Sequence, residues 1–352
     1  MPKSPKREAV AVERLVLPEA TDSDQVVEQK RPQIRPLTFR DYPGQAQVKN
    51  NLEVYVKAAR KLARTLDHVI LHGPPGLGKT TLAHIVAAEL DVPLITTSGP
   101  AVDKPADLAG ILAGIEAGTI LFIDEIHRLP IKVEEMLYSA MEDFCLDVLV
   151  GQGPTARTVR MPLPSFTLVG ATTRLSLVSK PMLGRFGIQE KLVYYQPAEL
   201  VEILQRSAAI LDIPLEVQGA EEIARRSRGT PRLANRLLKR VWDFAVVAGQ
   251  PAIDQGLAAR ILEDQGIDGQ GLDRTDKEIL ETIASHYSGG PVGIDALASS
   301  LHHDRGTIED VYEPFLVHQG FLARGPRGRF LTDKGRRHTN FLGENRKSLF
   351  EE

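Results

Sequence analysis

Short apolar runs and amphipathic helical segments alternate along the chain from His68 to about Tyr195. In the helical segments apolar residues recur at intervals of three and four, whereas the runs between them have the short apolar pattern of strands. This alternation predicts an α/β fold in which helices cover both faces of a parallel sheet. The predicted strands are HVILHG, PLITT, TILFID, FTLVGATT and KLVYY, and the predicted helices are TLAHIVAAEL, DLAGILAGI and KVEEMLYSAME.

The pattern becomes wholly helical from Ala198 to about Gly266, which predicts a small helical domain. Beyond it, three more helical segments precede FLARGPRGRFLTDKG, which has the pattern of a β-hairpin with Gly-Pro-Arg-Gly at its tip. Three helices followed by a basic hairpin are typical of a winged helix-turn-helix module. We therefore expect domains at 32–196, 197–268 and 269–342, with a flexible tail at 1–31 and a terminal segment at 343–352.

The composition, 42% hydrophobic and 25% charged over 352 residues, is that of an ordinary soluble globular protein. No apolar run is long enough to span a bilayer, and the N-terminus MPKSPKREAV lacks the apolar core of a secretory signal. We expect a cytoplasmic protein without a membrane partner. Cys145 is the only cysteine, which excludes an internal disulfide and a cysteine-clustered zinc site. The formal net charge of −3 does not indicate nucleic-acid binding, which must be argued from local basic patches.

The strongest chemical signal is the segment HVILHGPPGLGKTTL, in which a predicted strand leads through a glycine-rich turn into a predicted helix. It matches the phosphate-binding loop G-x-x-x-x-G-K-[ST], whose glycines let backbone N–H groups surround an anion at the start of a helix. A glycine turn that only caps a helix is the alternative, which the strand before it and the helix after it disfavour. The sequence thus predicts that a nucleoside triphosphate and Mg²⁺ bind at Gly73, Gly76, Gly78, Lys79 and Thr80.

A second buried strand, TILFID, ends in Asp124 and is followed by Glu125. Ligands lie at the carboxyl ends of strands in open α/β sheets, so Asp124 is predicted to hold Mg²⁺ and Glu125 to orient or deprotonate the attacking water. The two acids could instead cap a helix, an interpretation that the upstream phosphate loop disfavours. The strand FTLVGATT ends in Thr172 and Thr173, and either hydroxyl could lie beside the terminal phosphate.

Two sets of basic residues are candidates for phosphate recognition. Arg185 in GRFG and Arg232 in GTPR each offer a planar, permanently charged donor, although each could also be a surface ion-pair partner. The second set concentrates positive charge on the predicted hairpin without an aromatic stacking platform, which favours the duplex backbone over single strands. A solvated basic face is the alternative. This set consists of Arg324, Arg327, Arg329, Lys334, Arg336 and Arg337.

Taken together and in order, the motifs resemble those of the RuvB family of bacterial AAA+ motors. They are GPPGLGKTT, LFIDEIHRL, EDF, LDVLVGQGPTAR, FTLVGATTR, RFG, RGTPRLANRLLKRV and QGFLARGPRGR, and the resemblance extends from about Ile34 to Phe341. It implies a P-loop AAA+ ATPase domain, a helical lid domain and a C-terminal winged-helix DNA-binding domain. It also implies an ATP hydrolase that moves duplex DNA to branch-migrate Holliday junctions in recombination and repair, as a homo-hexamer acting with RuvA and RuvC.

The resemblance further implies roles for individual positions. Asp124 and Glu125 would be the acid pair, Thr173 the first sensor and Arg232 the second sensor. Arg185 would be the finger inserted into a neighbouring subunit's site, a role that requires a ring. Nucleotide contacts are implied for Ile34, Arg35, Gly76, Lys79, Thr80, Thr81, Glu142, Asp143, Phe144 and Tyr195, and DNA contacts for Arg305, Arg324 and Arg329.

The segment 145–162 alternates like a β-hairpin inserted between the acid pair and the sensor strand. By resemblance it protrudes and binds RuvA, whereas its apolar residues Leu146, Val148 and Val150 could instead pack inward. Ser176 and Gly184 depart from the family pattern near the finger candidate, which leaves the local path of that loop open.

Other functions share parts of this pattern. A clamp loader would have a cysteine-bound zinc, which a single cysteine excludes, and a protein unfoldase would need an aromatic pore loop, which TTSGPAVDKPADLAG does not contain. A winged-helix transcription regulator that uses ATP only as a switch is the remaining alternative. Glu125 beside Asp124 favours turnover of ATP over switching.

Overall fold

The structure, a computed structural model, describes residues 34–150 and 157–340. The predicted tails at 1–31 and 343–352 lie outside the described residues. The described chain divides into two compact units. The first holds the residues up to Ile203 together with Thr230–Arg232, and the second holds Leu204–Gly229 and the residues from Leu233 onward.

The strands of the first unit are β1 (Val69–His72), β2 (Leu94–Ser98), β3 (Ile120–Asp124), β4 (Cys145–Val150), β5 (Arg157–Pro162), β6 (Thr167–Thr172) and β7 (Ile188–Lys191). Five of them form a parallel sheet with the order β2-β3-β6-β1-β7. β1, β3 and β6 are almost wholly buried, which is why they appear in the sequence as continuous apolar runs. The predicted parallel sheet is confirmed.

The helices of this unit are α1 (Ala46–Lys61), α2 (Lys79–Leu90), α3 (Pro105–Ala113), α4 (Ile131–Glu142) and the single turn α5 (Lys180–Leu183). α2, α3 and α4 confirm the three helices predicted between the strands, whereas the sequence analysis did not assign α1. The core packs β3 against α4, with Leu121, Ile123, Leu137 and Phe166 fully buried. Each such side chain stabilises the fold by about 1.5–3 kcal/mol relative to an exposed position.

The last predicted strand, KLVYY, is wrong in its position. β7 consists of Ile188–Lys191, and along it buried and exposed residues alternate. Only two of its four residues face inward, and one of these is Glu190, so the strand lacks the apolar run on which the prediction depended. After Lys191 the chain makes one more sheet-like contact, from Leu192 N–H to the His72 carbonyl at 2.8 Å, and then leaves the sheet.

The predicted hairpin at 145–162 is confirmed in its described strands, because β4 and β5 pair antiparallel from Cys145↔Pro162 to Val150↔Arg157. Leu146 is fully buried in the core, so this residue packs inward. The hairpin tip and the side chains of Val148 and Val150 lie outside the described residues.

The helical region that follows contains α6 (Pro197–Ile210), α7 (Val217–Arg226), α8 (Pro231–Val247) and α9 (Gln255–Asp264), as predicted. α8 illustrates the pattern that made these helices recognisable. Its buried residues lie on one face, since Leu233, Leu237 and Val241 are four residues apart.

A buried arginine ties the end of α7 to the start of the C-terminal module. Arg228 Nη2 contacts Asp273 Oδ2 at 2.9 Å and Asp276 Oδ2 at 2.5 Å, and its Nε donates to the Gly271 carbonyl at 3.0 Å. Its guanidinium also lies over the Phe315 ring, 4.6 Å from the centroid. Because buried carboxylates are costly without a partner, Arg228 stabilises the start of this module.

The C-terminal module contains α10 (Arg274–His286), α11 (Ile294–Leu301), α12 (Arg305–Thr307), α13 (Glu313–His318), β8 (Leu322–Gly325), β9 (Gly328–Leu331) and α14 (Asp333–His338). A π-helical turn, Ile308–Tyr312, joins α12 to α13, and we refer to residues 305–318 as the third helical segment. β8 and β9 form an antiparallel hairpin, which we refer to as the wing. Three helical segments followed by a wing confirm the predicted winged helix.

One part of the predicted basic hairpin is wrong. Lys334, Arg336 and Arg337 lie on α14 and not on the wing. The reason is local, since the Thr332 hydroxyl accepts a hydrogen bond from Gly335 N–H at 3.1 Å and so caps a new helix directly after β9. Within the part of the chain that the structure describes, no helix has both the length and the apolar character required to cross a bilayer.

Candidate nucleotide site

Three neighbouring strands of the sheet deliver the candidate residues to one edge. His72, Asp124 and Thr172 are the last residues of β1, β3 and β6, and these strands are parallel. Gly73 N–H donates to the Thr172 carbonyl at 3.2 Å, so the phosphate loop begins next to the sensor threonines. The structure therefore brings the phosphate loop, the acid pair and the threonines together where an open sheet binds its ligand.

The backbone of the loop has the shape of an anion cradle. Gly73, Gly76 and Gly78 have φ values of 140°, 78° and 97°, a region that favours glycine. A Cβ atom at Gly78 would lie 2.9 Å from the Tyr42 hydroxyl, so the turn also requires glycine for lack of space. α2 begins at Lys79 directly after this turn, and its N-terminal N–H groups favour an anion there. These residues fit a triphosphate.

Lys79 is buried and held by the loop itself, because its Nζ donates to the carbonyls of Gly73 at 2.8 Å and Pro74 at 2.9 Å. The pKa of Lys79 is lowered to about 8, chiefly by burial and to a lesser extent by the charge of Arg232, while Asp124 and Glu125 oppose the shift. Phosphate oxygens are stronger acceptors for an ammonium group than these carbonyls. A bound triphosphate would therefore compete with the loop for Lys79.

Glu125 follows β3 in a left-handed backbone conformation, with a φ of 49°, which non-glycine residues adopt at an energetic cost. Its backbone N–H donates to Asp124 Oδ1 at 3.0 Å. Burial raises the pKa of the Glu125 carboxyl, and the Asp124 charge adds to this effect. A carboxylate with a raised pKa is a better proton acceptor, as a general base requires.

Thr172, the last residue of β6, and Thr173, which follows it, have different partners. The Thr173 hydroxyl donates to Glu125 Oε2 at 3.3 Å, whereas the Thr172 hydroxyl is fully buried and lies 2.9 Å from His127 Nδ1. Only Thr173 therefore contacts the candidate base, which favours it over Thr172 as the sensor.

Arg232 also lies at this site, since its backbone N–H donates to the Gly76 carbonyl at 3.4 Å. Its charge contributes to the lowered pKa of Lys79, so the two cations lie close enough to interact. Two cations near one loop are stabilised by a polyanion between them.

Tyr195, matched by resemblance to the base site, is buried and paired with a second tyrosine. Its hydroxyl donates to the Tyr42 hydroxyl at 2.8 Å, and the Tyr42 hydroxyl donates to the Leu77 carbonyl in the phosphate loop at 3.3 Å. Burial raises the pKa of both phenols, so both stay protonated. The Tyr195 hydroxyl also lies 3.3 Å from the Leu77 carbonyl, so both tyrosines connect the predicted base site to the phosphate loop. Sequence reasoning missed Tyr42.

The other predicted nucleotide contacts lie in three parts of the described chain. Glu142 Oε2 binds Arg185 Nη2 at 2.6 Å, Asp143 pairs with Arg160, and the Phe144 ring lies 6.0 Å from the Phe166 ring. Thr80 and Thr81 lie in the first turn of α2, next to Lys79. Ile34 is half-buried and Arg35 is exposed at the start of the described chain.

The predicted DNA contacts lie on the winged helix. Arg324 and Arg329 are directly opposite each other on β8 and β9, and Arg305 begins the third helical segment. All three guanidinium groups are ion-paired to acidic side chains of the same module.

Three sequence models of protein families match successive parts of the chain. The Holliday junction DNA helicase RuvB P-loop domain matches residues 34–192, the RuvB AAA lid domain matches 195–268, and the RuvB C-terminal winged helix domain matches 269–340. The chain belongs to the RuvB family. The resemblance stated from the motifs is thereby confirmed.

Similar RuvB proteins are known from several bacteria. The Holliday junction branch migration complex subunit RuvB of Lactiplantibacillus plantarum is 55% identical over 88% of this chain and 92% of that protein. The subunit of the same name from Lacticaseibacillus casei is 52% identical over 94% of this chain and 98% of that protein. A solved structure of Thermotoga maritima RuvB, described as a Holliday junction branch migration motor, matches with a TM-score of 0.79 at 48% identity, covering 88% of this chain and 98% of that chain.

Three residues that the sequence analysis did not identify contact residues of the predicted sites. Tyr42 holds the phosphate loop, Tyr138 lies under Arg185, and Glu313 binds two arginines of the wing. Tyr138 and Glu313 fall within helical apolar patterns, where a tyrosine or a single acid reads as ordinary helix surface. Their roles depend on contacts between elements, for which the sequence carries no local signal.

Proposed function

We propose that this chain is an ATP-driven motor that translocates duplex DNA to branch-migrate Holliday junctions. The observation that carries the proposal is the position of Glu125. Its carboxylate accepts a hydrogen bond from Thr173, follows Asp124 at the end of β3, and lies close enough to Lys79 to shift the pKa of the amine. A protein that bound ATP only as a switch would not require a base with a raised pKa at this point.

In this proposal each site residue has a separate task. Gly73, Gly76 and Gly78 surround the phosphates with backbone N–H groups, and Lys79 neutralises the terminal phosphate. Glu125 takes a proton from the attacking water, and Thr173 keeps the carboxylate oriented towards it. Arg232 binds the terminal phosphate.

Mg²⁺ fits the donor set of this site. The Thr80 hydroxyl and the Asp124 carboxylate are hard oxygen ligands, and Mg²⁺ in nucleotide sites is held by one or two such groups together with phosphates and water. When bound, the ion would neutralise phosphate charge. Asp124 also orients the backbone of Glu125, since its Oδ1 accepts the Glu125 N–H.

Arg185 is proposed to act on a neighbouring subunit within a homo-hexameric ring. In its own subunit the side chain contacts Glu142, the Pro181 carbonyl and Tyr138, so it lies against α4. A head-to-tail ring places the same surface of every subunit against the nucleotide site of the next. In a closed ring of this kind, the subunits around the DNA would hydrolyse ATP one after another.

We propose the same partners that the family relationship suggests. The hairpin at 145–162 would bind RuvA, RuvC would join the complex that resolves the junction, and Arg305, Arg324 and Arg329 would contact the duplex backbone. Support for the DNA contact comes from the cross-strand pair of arginines on the wing. Phosphate contacts of this kind bind without reading sequence, as a motor on arbitrary DNA requires. A cytoplasmic location is part of this proposal.

A branch-migration assay on synthetic four-way junctions tests the proposal. The intact protein with RuvA and ATP should move the junction, whereas Lys79→Ala should not. Lys57→Ala is the matched control, because Lys57 is 66% exposed on α1 and pairs with Glu53 of the same helix. Motion that persists in the Lys79 variant, or ATP hydrolysis by the intact protein without motion of the junction, would exclude the proposed motor.

A further inference from the structure

The three arginines assigned to DNA belong to one continuous chain of ion pairs. Arg305 Nη1 contacts Asp295 Oδ1 at 3.2 Å, and Arg305 Nε contacts Glu309 Oε2 at 3.5 Å. Glu309 Oε1 in turn contacts Arg329 Nη2 at 3.2 Å. From Arg329 the chain continues through Glu313 to Arg324. Acidic side chains therefore alternate with the three arginines along the surface proposed to bind a polyanion.

Glu313 differs from the other acids in this chain because it is buried. Its side chain is 1% exposed, whereas those of Glu309 and Asp295 are 33% and 78% exposed. Glu313 binds two arginines at once. Its Oε1 accepts from Arg324 Nε at 2.6 Å and from Arg329 Nε at 2.9 Å, and its Oε2 accepts from Arg329 Nη2 at 3.0 Å.

The fold gives a reason for this arrangement. Arg324 and Arg329 are cross-strand partners on the wing, where two like charges directly opposite each other destabilise the hairpin. A carboxylate between them removes this repulsion, and the bidentate pair with Arg329 fixes the plane of that guanidinium. Glu309, which also pairs with Arg329, balances the charge of the second guanidinium.

The contacts leave specific donors available to a ligand. Arg324 uses only Nε for Glu313 and is 51% exposed, and its two Nη groups have no protein partner within the residues that the structure describes. Arg329 is 13% exposed and uses Nε and Nη2. Glu313 thus binds the Nε side of each guanidinium group, which leaves the Nη groups of Arg324 facing solvent.

We propose that Glu313 is a positioning residue for duplex binding, which holds Arg324 and Arg329 in the orientation that meets the phosphates of the DNA backbone. This inference rests on the proposed function, in which the two arginines contact DNA. Glu313 itself touches no phosphate. Glu313 restricts the conformations of two long side chains in the free protein. Less conformational entropy of these side chains is therefore lost when the protein binds DNA.

The test depends on whether loss of the Glu313 charge strengthens or weakens duplex binding. Removal of an acidic charge from a DNA-binding surface strengthens binding by simple electrostatics. If Glu313 positions the arginines, Glu313→Gln should instead weaken it, by about tenfold for a loss of 1.4 kcal/mol. Affinity is measured by fluorescence anisotropy with the full-length protein and a duplex of arbitrary sequence, over a series of salt concentrations.

Asp310→Asn is the matched control, since it removes the same charge from an exposed position of the same helical segment. It should leave affinity unchanged or increase it slightly. The slope of log affinity against log salt concentration should become shallower in Glu313→Gln, because fewer phosphates are contacted, and should not do so in Asp310→Asn. Tighter binding by Glu313→Gln would overturn the inference.

Testing Glu313→Gln in a protein that lacks both wing arginines distinguishes a positioning role from a role in folding. In an Arg324→Ala/Arg329→Ala protein, Glu313→Gln should cause no further loss of affinity, because nothing remains to be positioned. An equal loss in both backgrounds would show that Glu313 only maintains the fold and would overturn the inference. If the double arginine variant by itself binds duplex as the intact protein does, the proposed DNA role of the wing fails, whatever Glu313→Gln does. If it binds weakly and Glu313→Gln binds normally, only the role of Glu313 fails.

Discussion

The guanidinium group of Arg185 lies over the ring of Tyr138, with 4.5 Å between Arg185 Cζ and the ring centroid. The Tyr138 hydroxyl donates to Glu134 at 2.8 Å, which fixes the ring on α4. Arg185 Nη2 also binds Glu142, so the side chain is held on two sides and remains only 24% exposed. In the proposed role as a finger for a neighbouring subunit, an arginine restrained in this way would lose little conformational freedom on binding.

Mixing two inactive variants should restore ATP hydrolysis. Arg185→Ala lacks the finger and Lys79→Ala lacks a working phosphate loop, so each protein alone should be inactive. In a mixed ring, an Arg185→Ala subunit beside a Lys79→Ala subunit has an intact phosphate loop and an intact neighbouring finger. An equal mixture should recover about a quarter of the wild-type rate, since random head-to-tail assembly forms that pair at about one interface in four. Steady-state ATPase assays with junction DNA and RuvA measure it, and a mixture as inactive as its parts would show that Arg185 does not act across the interface.

Glu125→Gln should bind ATP with nearly unchanged affinity and hydrolyse it about 10²–10⁴-fold more slowly, the range that loss of a general base produces. The amide has nearly the same shape as the carboxylate but does not accept the proton from water. Single-turnover hydrolysis and a separate nucleotide-binding measurement distinguish the two effects. Rapid turnover by this variant would remove Glu125 from the role of base.

Thr172 and Thr173, at the end of β6, should respond differently to the same substitution. Thr173→Val removes the hydrogen bond to Glu125 and should slow hydrolysis about tenfold, equivalent to about 1.4 kcal/mol in the activation barrier. Thr172→Val is the matched control, since it removes the hydroxyl that contacts His127 and the Arg174 N–H but not Glu125. A larger loss of hydrolysis in Thr172→Val than in Thr173→Val would identify Thr172 as the sensor.

ATP affinity should decrease as the pH rises above about 8. Burial lowers the pKa of Lys79 to about 8, so the ammonium form predominates below that pH and the neutral amine above it. A triphosphate favours the ammonium form, so binding at a pH of about 8.5 should be accompanied by proton uptake. Isothermal titration calorimetry in buffers of different ionisation enthalpy detects this uptake. Lys79→Arg, whose guanidinium stays charged, should show none, and the prediction is wrong if the intact protein shows none either.

Arg228→Met should lower the free energy of unfolding by about 3–5 kcal/mol, because it leaves Asp273 and Asp276 buried without their cation. Arg225→Met is the control. Arg225 is 55% exposed, so its loss should cost less than about 1 kcal/mol. Thermal and urea unfolding measure both variants.

The destabilisation in Arg228→Met should depend on pH. Burial raises the pKa of Asp276 above its usual range while the Arg228 charge opposes this, so loss of that charge raises the pKa further. A folded-state pKa above the unfolded value gives stability that is present at low pH and is lost as the pH rises through the folded pKa. The variant should therefore be less impaired at a pH of about 5.5 than at about 9. An equal loss at both values would contradict the assignment of the effect to buried carboxylates.

Elements with a strong period or a chemical motif were predictable from the sequence. The phosphate loop carries its own signature, and α8 has an unbroken four-residue period from Leu233 to Val241. Elements with few buried residues were not predictable in this way. β7 has two, one of them Glu190, and α14 owes its start to the cap at Thr332, so the first was misplaced and the second was read as part of the wing.

The site divides in the same way. Lys79 and Glu125 were identifiable because their chemistry depends on neighbours in the sequence, in the turn and at the strand end. Tyr42, Tyr138 and Glu313 were not, because each acts on a residue of another element. Tyr42 reaches Leu77 from the segment before α1, and Glu313 reaches the wing from the third helical segment.

The sequence by itself determined that the chain binds a nucleoside triphosphate, that the sheet is parallel and that a winged helix follows the helical region, because each depends on short-range patterns of glycine, charge and apolar spacing. Only the tertiary structure decided which threonine faces Glu125, what restrains Arg185 and how the basic wing tolerates its own charge. These relationships arise where side chains distant in sequence share a buried, poorly screened environment, and there the energy of a charge or hydroxyl is set by its neighbours in space.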